Sequence, residues 1–279
     1  MNAYVERVIE NVKKKYCNEP EFVQTVEEAA AADLAILFEP AAGVLDKIPQ
    51  KVVITYDVDL GQQANGIFLM REDAMELSFD ALMNYSGHEA PVRVIGIFEN
   101  ENSPAFAQYN AMIAEGKLQS RGVFFAGENC KEEFSARLDE IVPGLLDSVY
   151  AENEELALLA FDTLKEAERN DAVEVIVPVL SDAVLAAMQE EHFLMGAGAG
   201  IDFYSVGTLA VRKAISILAG EPMEPSTFAP EILFSETVYT LMKDAEEGES
   251  IAALLSEQNE ELPFPDAVLY LREYTANQK

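Results

Sequence analysis

Residues 147–167 have the sequence DSVYAENEELALLAFDTLKEA, in which a short apolar run passes directly into a helical pattern. The apolar run covers residues 146–150 and predicts a buried strand. Residues 154–168 then repeat apolar side chains at the spacing of one helix face, which predicts an amphipathic helix. A strand that leads through a short polar turn into a helix is the building unit of α/β proteins.

The same order of strand and helix continues on both sides of this stretch. Short apolar runs predict strands at residues 34–38, 51–56, 66–70, 92–98, 122–126, 173–179 and 232–234. Helical patterns predict helices at residues 73–85, 105–115, 131–142, 182–190 and 203–218. Such alternation favours parallel sheets with helices on both faces, and it places a ligand at the carboxyl ends of the strands.

The composition is that of a globular protein with a strong negative charge. The chain has 279 residues, of which 49% are hydrophobic and 25% charged, so it can bury a core and is not expected to be disordered. Its 50 acidic and 19 basic residues give a net charge of -31 at pH 7. A field of this sign repels phosphate groups and anionic lipids, so we expect no nucleic-acid partner and no membrane insertion.

Residues that would hold disulfides or metals are scarce. The two cysteines, Cys17 and Cys130, form no disulfide framework and have no metal-ligand spacing around them. No metal and no cofactor is expected. The first residues are charged and helically periodic, without the apolar core of a signal peptide, so we expect a cytoplasmic protein, or an extracytoplasmic one if a leader has been removed. The apolar runs are too short to span a bilayer.

A glycine-rich run at residues 196–200, GAGAG, is similar in composition to a phosphate-binding loop. The third glycine of a G-x-G-x-x-G pattern would fall at Ile201 or Phe203, so the run predicts a tight crossover segment instead. A nucleotide-dependent enzyme is therefore the least favoured hypothesis. With two histidines, no G-x-S-x-G turn and no H-E-x-x-H helix, the sequence also lacks the anchors of hydrolases, and we expect that the protein is not an enzyme.

Four blocks of sequence resemble one family of binding proteins. Residues 147–167 resemble the segment of class I periplasmic sugar-binding proteins and lac-repressor-type regulators in which a strand ends in Ala-x-Asn-Asp before a helix. Residues 47–57 (KIPQKVVITYD) look like the family's Ile-Pro-Val-Val-x-x-Asp strand. Residues 70–82 (MREDAMELSFDAL) resemble its following helix, and residues 206–222 (VGTLAVRKAISILAGEP) look like its late helix ending in Leu-x-Gly. The blocks occur in the family's order between residues 34 and 236.

The resemblance implies two Rossmann-like α/β lobes with parallel sheets and a small polar, sugar-like ligand in the cleft between them. Asp57 matches the first-lobe acid that bonds sugar hydroxyls, and Asn153 matches the second-lobe asparagine. A carboxylate accepts hydrogen bonds, while an amide both donates and accepts them, which suits a polyol. The implied protein is a solute-binding or ligand-sensing protein.

Four further polar residues are weaker candidates for ligand contacts. Asp59 follows the same strand as Asp57, and Asp202 precedes the last helix of the resemblance. The family's Gly-x-Asp is replaced by residues 178–181, PVLS, which leaves Asp182 nearby. Ser103 stands where the family often has a basic residue.

The resemblance also predicts domain boundaries. The first lobe would comprise residues 1–90 and 203–240, and the second lobe residues 91–202. Residues 241–279 would form a C-terminal helical extension, with helices near residues 251–255 and 267–274.

Three departures from the family keep another function open. The family's first strand is missing, so either a second copy donates a strand, giving a homodimer, or that sheet edge is capped. The altered cleft residues favour, as the alternative, a degenerate domain that acts as a protein-interaction module without a ligand.

Residues 19–28 (EPEFVQTVEE) also look like a stretch near the start of glutamate dehydrogenases, which we interpret as chance because no dinucleotide fingerprint follows.

Overall fold

The computed structural model describes residues 34–40, 51–56, 65–71, 73–84, 90–169, 173–190, 194–221 and 223–243. The chain divides into two compact units. The first comprises Met1–Phe68, Gly207–Thr227 and Leu262–Lys279, and the second comprises Leu69–Val206 and Phe228–Glu261.

Strands and helices alternate through the described ranges, as the sequence predicted. In chain order the elements are β1 (Ala35–Phe38), β2 (Lys51–Tyr56), β3 (Gly66–Leu69), α1 (Asp73–Asn84), β4 (Val92–Phe98), α2 (Pro104–Ala114), β5 (Leu118–Phe125), α3 (Cys130–Glu140), β6 (Ser148–Ala151), α4 (Glu154–Glu166), β7 (Glu174–Val177), α5 (Asp182–Ala187), β8 (Met195–Gly200), α6 (Phe203–Leu218), β9 (Ser226–Phe228), β10 (Glu231–Phe234) and α7 (Ser235–Lys243). No helix of the described residues is both long and apolar enough to cross a bilayer.

The first unit holds most of a four-stranded sheet with the order β1-β2-β3-β9. Strands β1 and β2 are parallel. Asn65 joins the chain before β3 to the chain before β9, because its backbone N–H donates to the Met223 carbonyl at 2.9 Å and its side-chain oxygen accepts from the Met223 N–H at 2.8 Å. The ammonium of Lys213, fully buried on α6, donates to the Glu224 carbonyl nearby.

The second unit is built on a six-stranded sheet with the order β10-β8-β7-β6-β4-β5. Strands β5, β4, β6, β7 and β8 are parallel, and only β10 runs antiparallel to its neighbour among these six. Alternate residues of β4 face opposite cores: Ile95 and Ile97 lie in one buried cluster with residues of α3, α4, α5 and α7. Val94 and Phe98 lie in the other cluster, with residues of α1 and α2. Helices therefore cover both faces of the sheet. The carboxyl ends of its parallel strands lie along one edge, which these helical layers leave uncovered.

Aromatic rings fill the core between the sheet and helices α1 and α2. The ring of Phe79 stacks on Tyr150 with centroids 4.2 Å apart, and Phe98 meets Tyr109 edge to face at 5.3 Å. Gly96 makes room for these rings, since a Cβ at this position would lie 2.4 Å from the Phe98 ring. The Tyr109 hydroxyl donates to the Val94 carbonyl at 3.0 Å, and burial raises the pKa of Tyr109 to about 12.

The glycine-rich run corrects one sequence prediction, because it forms strand β8 and not a crossover segment. All six residues of β8 are buried. A Cβ at Gly198 would lie 2.7 Å from the Val179 carbonyl oxygen, and one at Gly200 would lie 2.8 Å from the Leu180 nitrogen. The glycines therefore allow residues 179–180 to approach the strand, which explains their spacing without a phosphate.

The two units differ from the predicted lobes in the position of helix α1. The sequence placed this helix in the first lobe, whereas it packs against β7, β8 and β10 of the second unit. The second unit begins at Leu69, the last residue of β3, and not at residue 91. It also includes Phe228–Glu261, so β10 belongs to the second unit, although residues 203–240 were predicted for the first lobe. Of the predicted helical extension, residues 244–279 lie outside the described residues.

Candidate functional site

Polar side chains follow the carboxyl ends of two neighbouring parallel strands, β4 and β6. Glu99 comes directly after β4, and Glu152 and Asn153 come directly after β6. The backbone N–H of Glu152 donates to the Ile97 carbonyl at 3.0 Å, which ties the two strand ends together. We call Glu99, Glu152 and Asn153 the carboxyl-edge cluster.

Two hydrogen bonds connect the three residues of the carboxyl-edge cluster, with Glu99 as the residue common to both. The Nδ2 of Asn153 donates to the Oε1 of Glu99 at 2.9 Å. In the other direction, the backbone N–H of Glu99 donates to the Oε2 of Glu152 at 2.7 Å. Glu99 is exposed, while Glu152 and Asn153 are half-buried, so the cluster is held in place and still accessible to a ligand.

Asn153 also begins helix α4. Its Oδ1 accepts from the backbone N–H of Leu156 at 3.0 Å, which is the hydrogen bond of a helix N-cap. Glu154 and Glu155 occupy the first turn of the same helix. The carboxylates at this strand end repel an anionic ligand and favour a neutral or cationic ligand that donates hydrogen bonds.

Ser103 closes the loop that follows Glu99. Its Oγ accepts from the backbone N–H of Phe106 at 3.0 Å, so it is the N-cap of α2, and its side chain is buried. The backbone N–H of Ser103 donates to the Asn100 carbonyl at 3.3 Å, which makes residues 100–103 a tight turn. Ser103 therefore shapes the loop beside the cluster as a capping residue, and its contact with a ligand stays a prediction.

Asp182 and Asp202 lie after the next two strands, β7 and β8. Ser181 caps helix α5 by accepting from the Val184 N–H at 3.2 Å, and Asp182 is an exposed residue of the first turn. Asp202 accepts from the backbone N–H groups of Tyr204 at 2.9 Å and Ser205 at 3.1 Å, and also from the Ser205 hydroxyl. Its carboxylate thus holds the start of α6.

The four described candidates are therefore at one edge of one sheet. Ser103, Asn153, Asp182 and Asp202 follow strands β4, β6, β7 and β8, which are consecutive in the sheet. Among these four, Asn153 is the residue that joins the carboxyl-edge cluster. Asp57 and Asp59, the first-lobe candidates, lie outside the described residues.

Glu99 and Glu152 are the residues that the sequence analysis missed. Glu99 follows the apolar run 92–98 just as Asp57 follows the apolar run 51–56, so the position of an acid at a strand end could have identified it. The family motif matches Asn153 and does not include Glu152 beside it. In the part of the chain that the structure describes, no group of three or more His, Cys, Asp or Glu residues could hold a metal ion.

Solved solute-binding proteins have a similar fold. The 5-methylthioribose transporter solute-binding protein of Thermotoga lettingae, in complex with 5-methylthioribose, aligns with a TM-score of 0.56 and 16% identity over 96% of this chain and 84% of that chain. A sugar ABC transporter protein from Yersinia enterocolitica gives a TM-score of 0.54 and 16% identity over 86% of this chain and 81% of that chain. GanP, a glucose-galactose binding protein from Geobacillus stearothermophilus, gives a TM-score of 0.51 and 14% identity over 85% of this chain and 94% of that chain. The chain therefore has the predicted α/β fold, which is similar to the fold of these three proteins.

The sequence comparisons add a short fragment. No family model matches the chain. The NAD-specific glutamate dehydrogenase of Clostridium symbiosum is 62% identical over 32 residues, which are 12% of this chain and 7% of that enzyme. A match of this extent does not support the interpretation of the resemblance as chance, but it is too short to carry the fold or activity of a dehydrogenase.

Proposed function

We propose that this chain, with its fold similar to class I periplasmic binding proteins, binds a small polar, sugar-like solute without chemical conversion. The ligand would lie at the carboxyl edge of the six-stranded sheet. The observation that carries the proposal is the carboxyl-edge cluster, which presents accessible oxygen acceptors at the strand ends of this fold.

The chemistry of the cluster supports a ligand rich in hydroxyl or ammonium groups. The Glu99 and Glu152 carboxylates are acceptors, and the Asn153 amide adds a donor. Because hydrogen bonds hold the side chains to one another before a ligand arrives, little ordering is required on binding. Asp57 and Asp59 remain predicted contacts from the first lobe.

A thermal-shift screen tests the proposal. The screen would contain pentoses, hexoses, sugar alcohols, 5-methylthioribose and amino sugars, followed by titration calorimetry of each hit. A ligand at 100 times its Kd stabilises the folded state by about 2.7 kcal/mol, which corresponds to an increase in Tm of several degrees. A complete absence of stabilisation across these classes would contradict solute binding.

Two substitutions locate the site once a ligand is identified. We expect Glu99→Gln and Asn153→Ser to weaken binding about tenfold or more, because each removes a charge or a donor from the ligand's surroundings. Glu140→Gln, at an exposed ion pair with Arg137 on α3, serves as the control for loss of one carboxylate. Binding that all three variants leave unchanged would place the ligand elsewhere.

A second candidate function is a ligand-free interaction module. It is favoured by the capping roles of Ser103 and Asp202, whose side-chain oxygens already accept hydrogen bonds from their own helices. This candidate predicts that the same screen yields no ligand. It also predicts that Glu99→Gln and Asn153→Ser leave binding to a protein partner intact.

A further inference from the structure

Helix α6 has two apolar faces, and only one of them is buried. Val206, Leu209 and Ala210 are in contact with the interior and are at most 2% exposed. On another face, Tyr204, Val211 and Leu218 are 50%, 52% and 59% exposed. We call the exposed face, with Gly207, Thr208 and Ile215 between these side chains, the outer stripe. Residues seven positions apart stay close to one line on a helix, so the stripe runs along most of α6.

The outer stripe carries no carboxylate, although the chain is strongly acidic. The sequence of α6, FYSVGTLAVRKAISIL, contains neither Asp nor Glu, whereas the chain has 50 of them in 279 residues. Two copies with a charge of -31 each repel one another over most approaches. Repulsion is weakest where two such uncharged stripes meet, and there apolar burial favours association.

The outer stripe is also complementary to itself. If two α6 helices pack antiparallel about a two-fold axis at Val211, residues equally far from this position face one another. Tyr204 then meets Leu218 of the second copy, and Gly207 meets Ile215 of the second copy. A Cβ placed on Gly207 has no heavy atom within 4 Å, so the space above this glycine is open to the Ile215 side chain. Each large side chain thus lies opposite another apolar side chain or a gap.

We propose that the outer stripe of α6 is a homodimer interface in which a second copy of this chain packs antiparallel about Val211. This dimer differs from one formed by strand donation, because it buries a helix face and leaves the sheet edges alone. One helix face covers less than the roughly 800 Å² per partner of a standard interface, so we expect a dissociation constant in the micromolar range.

Sedimentation velocity over a concentration series tests the interface. We expect the unmodified protein to shift from monomer to dimer across the micromolar range. Val211→Glu brings two carboxylates face to face at the two-fold axis in an apolar contact, so it is expected to raise the dissociation constant at least about 100-fold. Val142→Glu is the matched control, since Val142 is 63% exposed and lies outside α6.

A cross-link provides a second measurement that does not depend on the charge. In a Cys17→Ser background, a Val211→Cys thiol would lie next to its own copy, and mild oxidation is expected to give a covalent dimer. The same treatment of Val142→Cys should leave monomers. A protein that stays monomeric up to the highest soluble concentration overturns the proposal. So does a dimer that Val211→Glu does not weaken, or one that Val142→Glu weakens equally.

Discussion

The two ends of the six-stranded sheet use charged residues in opposite ways. At the amino end, Arg93 of β4 and Asp147, just before β6, form a closed ion pair. The Arg93 Nε and backbone N–H donate to one Asp147 oxygen at 2.9 and 2.8 Å, and a second guanidinium nitrogen donates to the other oxygen. At the carboxyl end, the Glu99 and Glu152 carboxylates are held by an amide and a backbone N–H.

The difference separates a stabilising contact from a binding surface. The Asp147 side chain is 4% exposed and its charge is neutralised by the Arg93 guanidinium. Its carboxylate is therefore not available to bind a ligand. The carboxyl-edge cluster keeps its negative charge and its exposure. Strands β4 and β6 therefore have an ion pair that stabilises the fold at their amino ends and, in our proposal, residues that bind the ligand at their carboxyl ends.

The largest expected effect comes from opening the amino-end ion pair. Asp147→Asn leaves the Arg93 guanidinium without its carboxylate, so we expect a loss of about 2–3 kcal/mol in the free energy of unfolding. Calorimetry would show this as a decrease in Tm. Glu140→Gln, which breaks the exposed pair with Arg137, is the control and should cost less than about 0.5 kcal/mol. Equal decreases for the two variants would contradict the difference between closed and exposed pairs.

A pH-dependent effect is expected from Glu174, which lies at the amino end of β7. Burial, and then the nearby charge of Glu236, raises the pKa of Glu174 to about 7, and its buried Oε2 has no hydrogen-bond partner in the structure. The folded state therefore holds a proton that the unfolded chain releases above its ordinary pKa of 4.5. Stability from this group is full below that value and is lost as the pH rises through about 7.

Glu174→Gln measures this contribution directly. We expect the variant to be more stable than the unmodified protein at pH 8, by about 1–2 kcal/mol, and to differ little at pH 4. The Tm of both proteins across this range is the readout. Parallel Tm curves would show that the carboxyl is already ionised in the folded state near neutral pH.

A smaller effect on stability is expected at Asn153, where two roles can be separated. Asn153→Ala removes the N-cap of α4 and should cost about 1 kcal/mol. Asn153→Ser keeps a capping oxygen, so its Tm should stay close to that of the unmodified protein, while the Nδ2 donor to Glu99 is lost. A serine variant as unstable as the alanine variant would mean that the contact with Glu99, and not the cap, stabilises this region.

The smallest effect is expected from Glu152→Gln at the carboxyl end. The side-chain amide of this variant still offers an oxygen to the Glu99 N–H, so stability should change by less than about 0.5 kcal/mol. Ligand affinity is the property expected to fall. A large decrease in Tm would show that the carboxyl-edge cluster is a structural contact like the pair at the amino end.

Local patterns predicted most elements of this fold, but they did not predict β9 (Ser226–Phe228) or α7 (Ser235–Lys243). Helix α6 has the predicted bounds of residues 203–218, because its apolar residues repeat at helical spacing and residues 219–222, AGEP, end it. Strand β8 was misread, because every residue of the run MGAGAG after the methionine is glycine or alanine, and hydrophobic patterning cannot register such small side chains. Strand β8 forms by pairing with β7 on one side and with β10 on the other, and these partners come from other parts of the sequence.

The site was predicted in part. Asn153 was placed at a strand end from a motif, and the structure puts it in the carboxyl-edge cluster. Its bond to Glu99 joins residues 54 positions apart, and such a pair depends on which strands become neighbours. Strand order is set by packing over the whole sheet, so the sequence of either strand alone does not contain it.

Strand β8 also bears on how this chain can change over generations. Every single-base missense change in a glycine codon produces a residue with a Cβ. At Gly198 and Gly200 that atom would lie under 3 Å from the backbone of residues 179–180, so the neighbouring chain would have to shift. Purifying selection should therefore bear on these two codons through packing alone, and a deep mutational scan should find them among the least tolerant positions of the sheet.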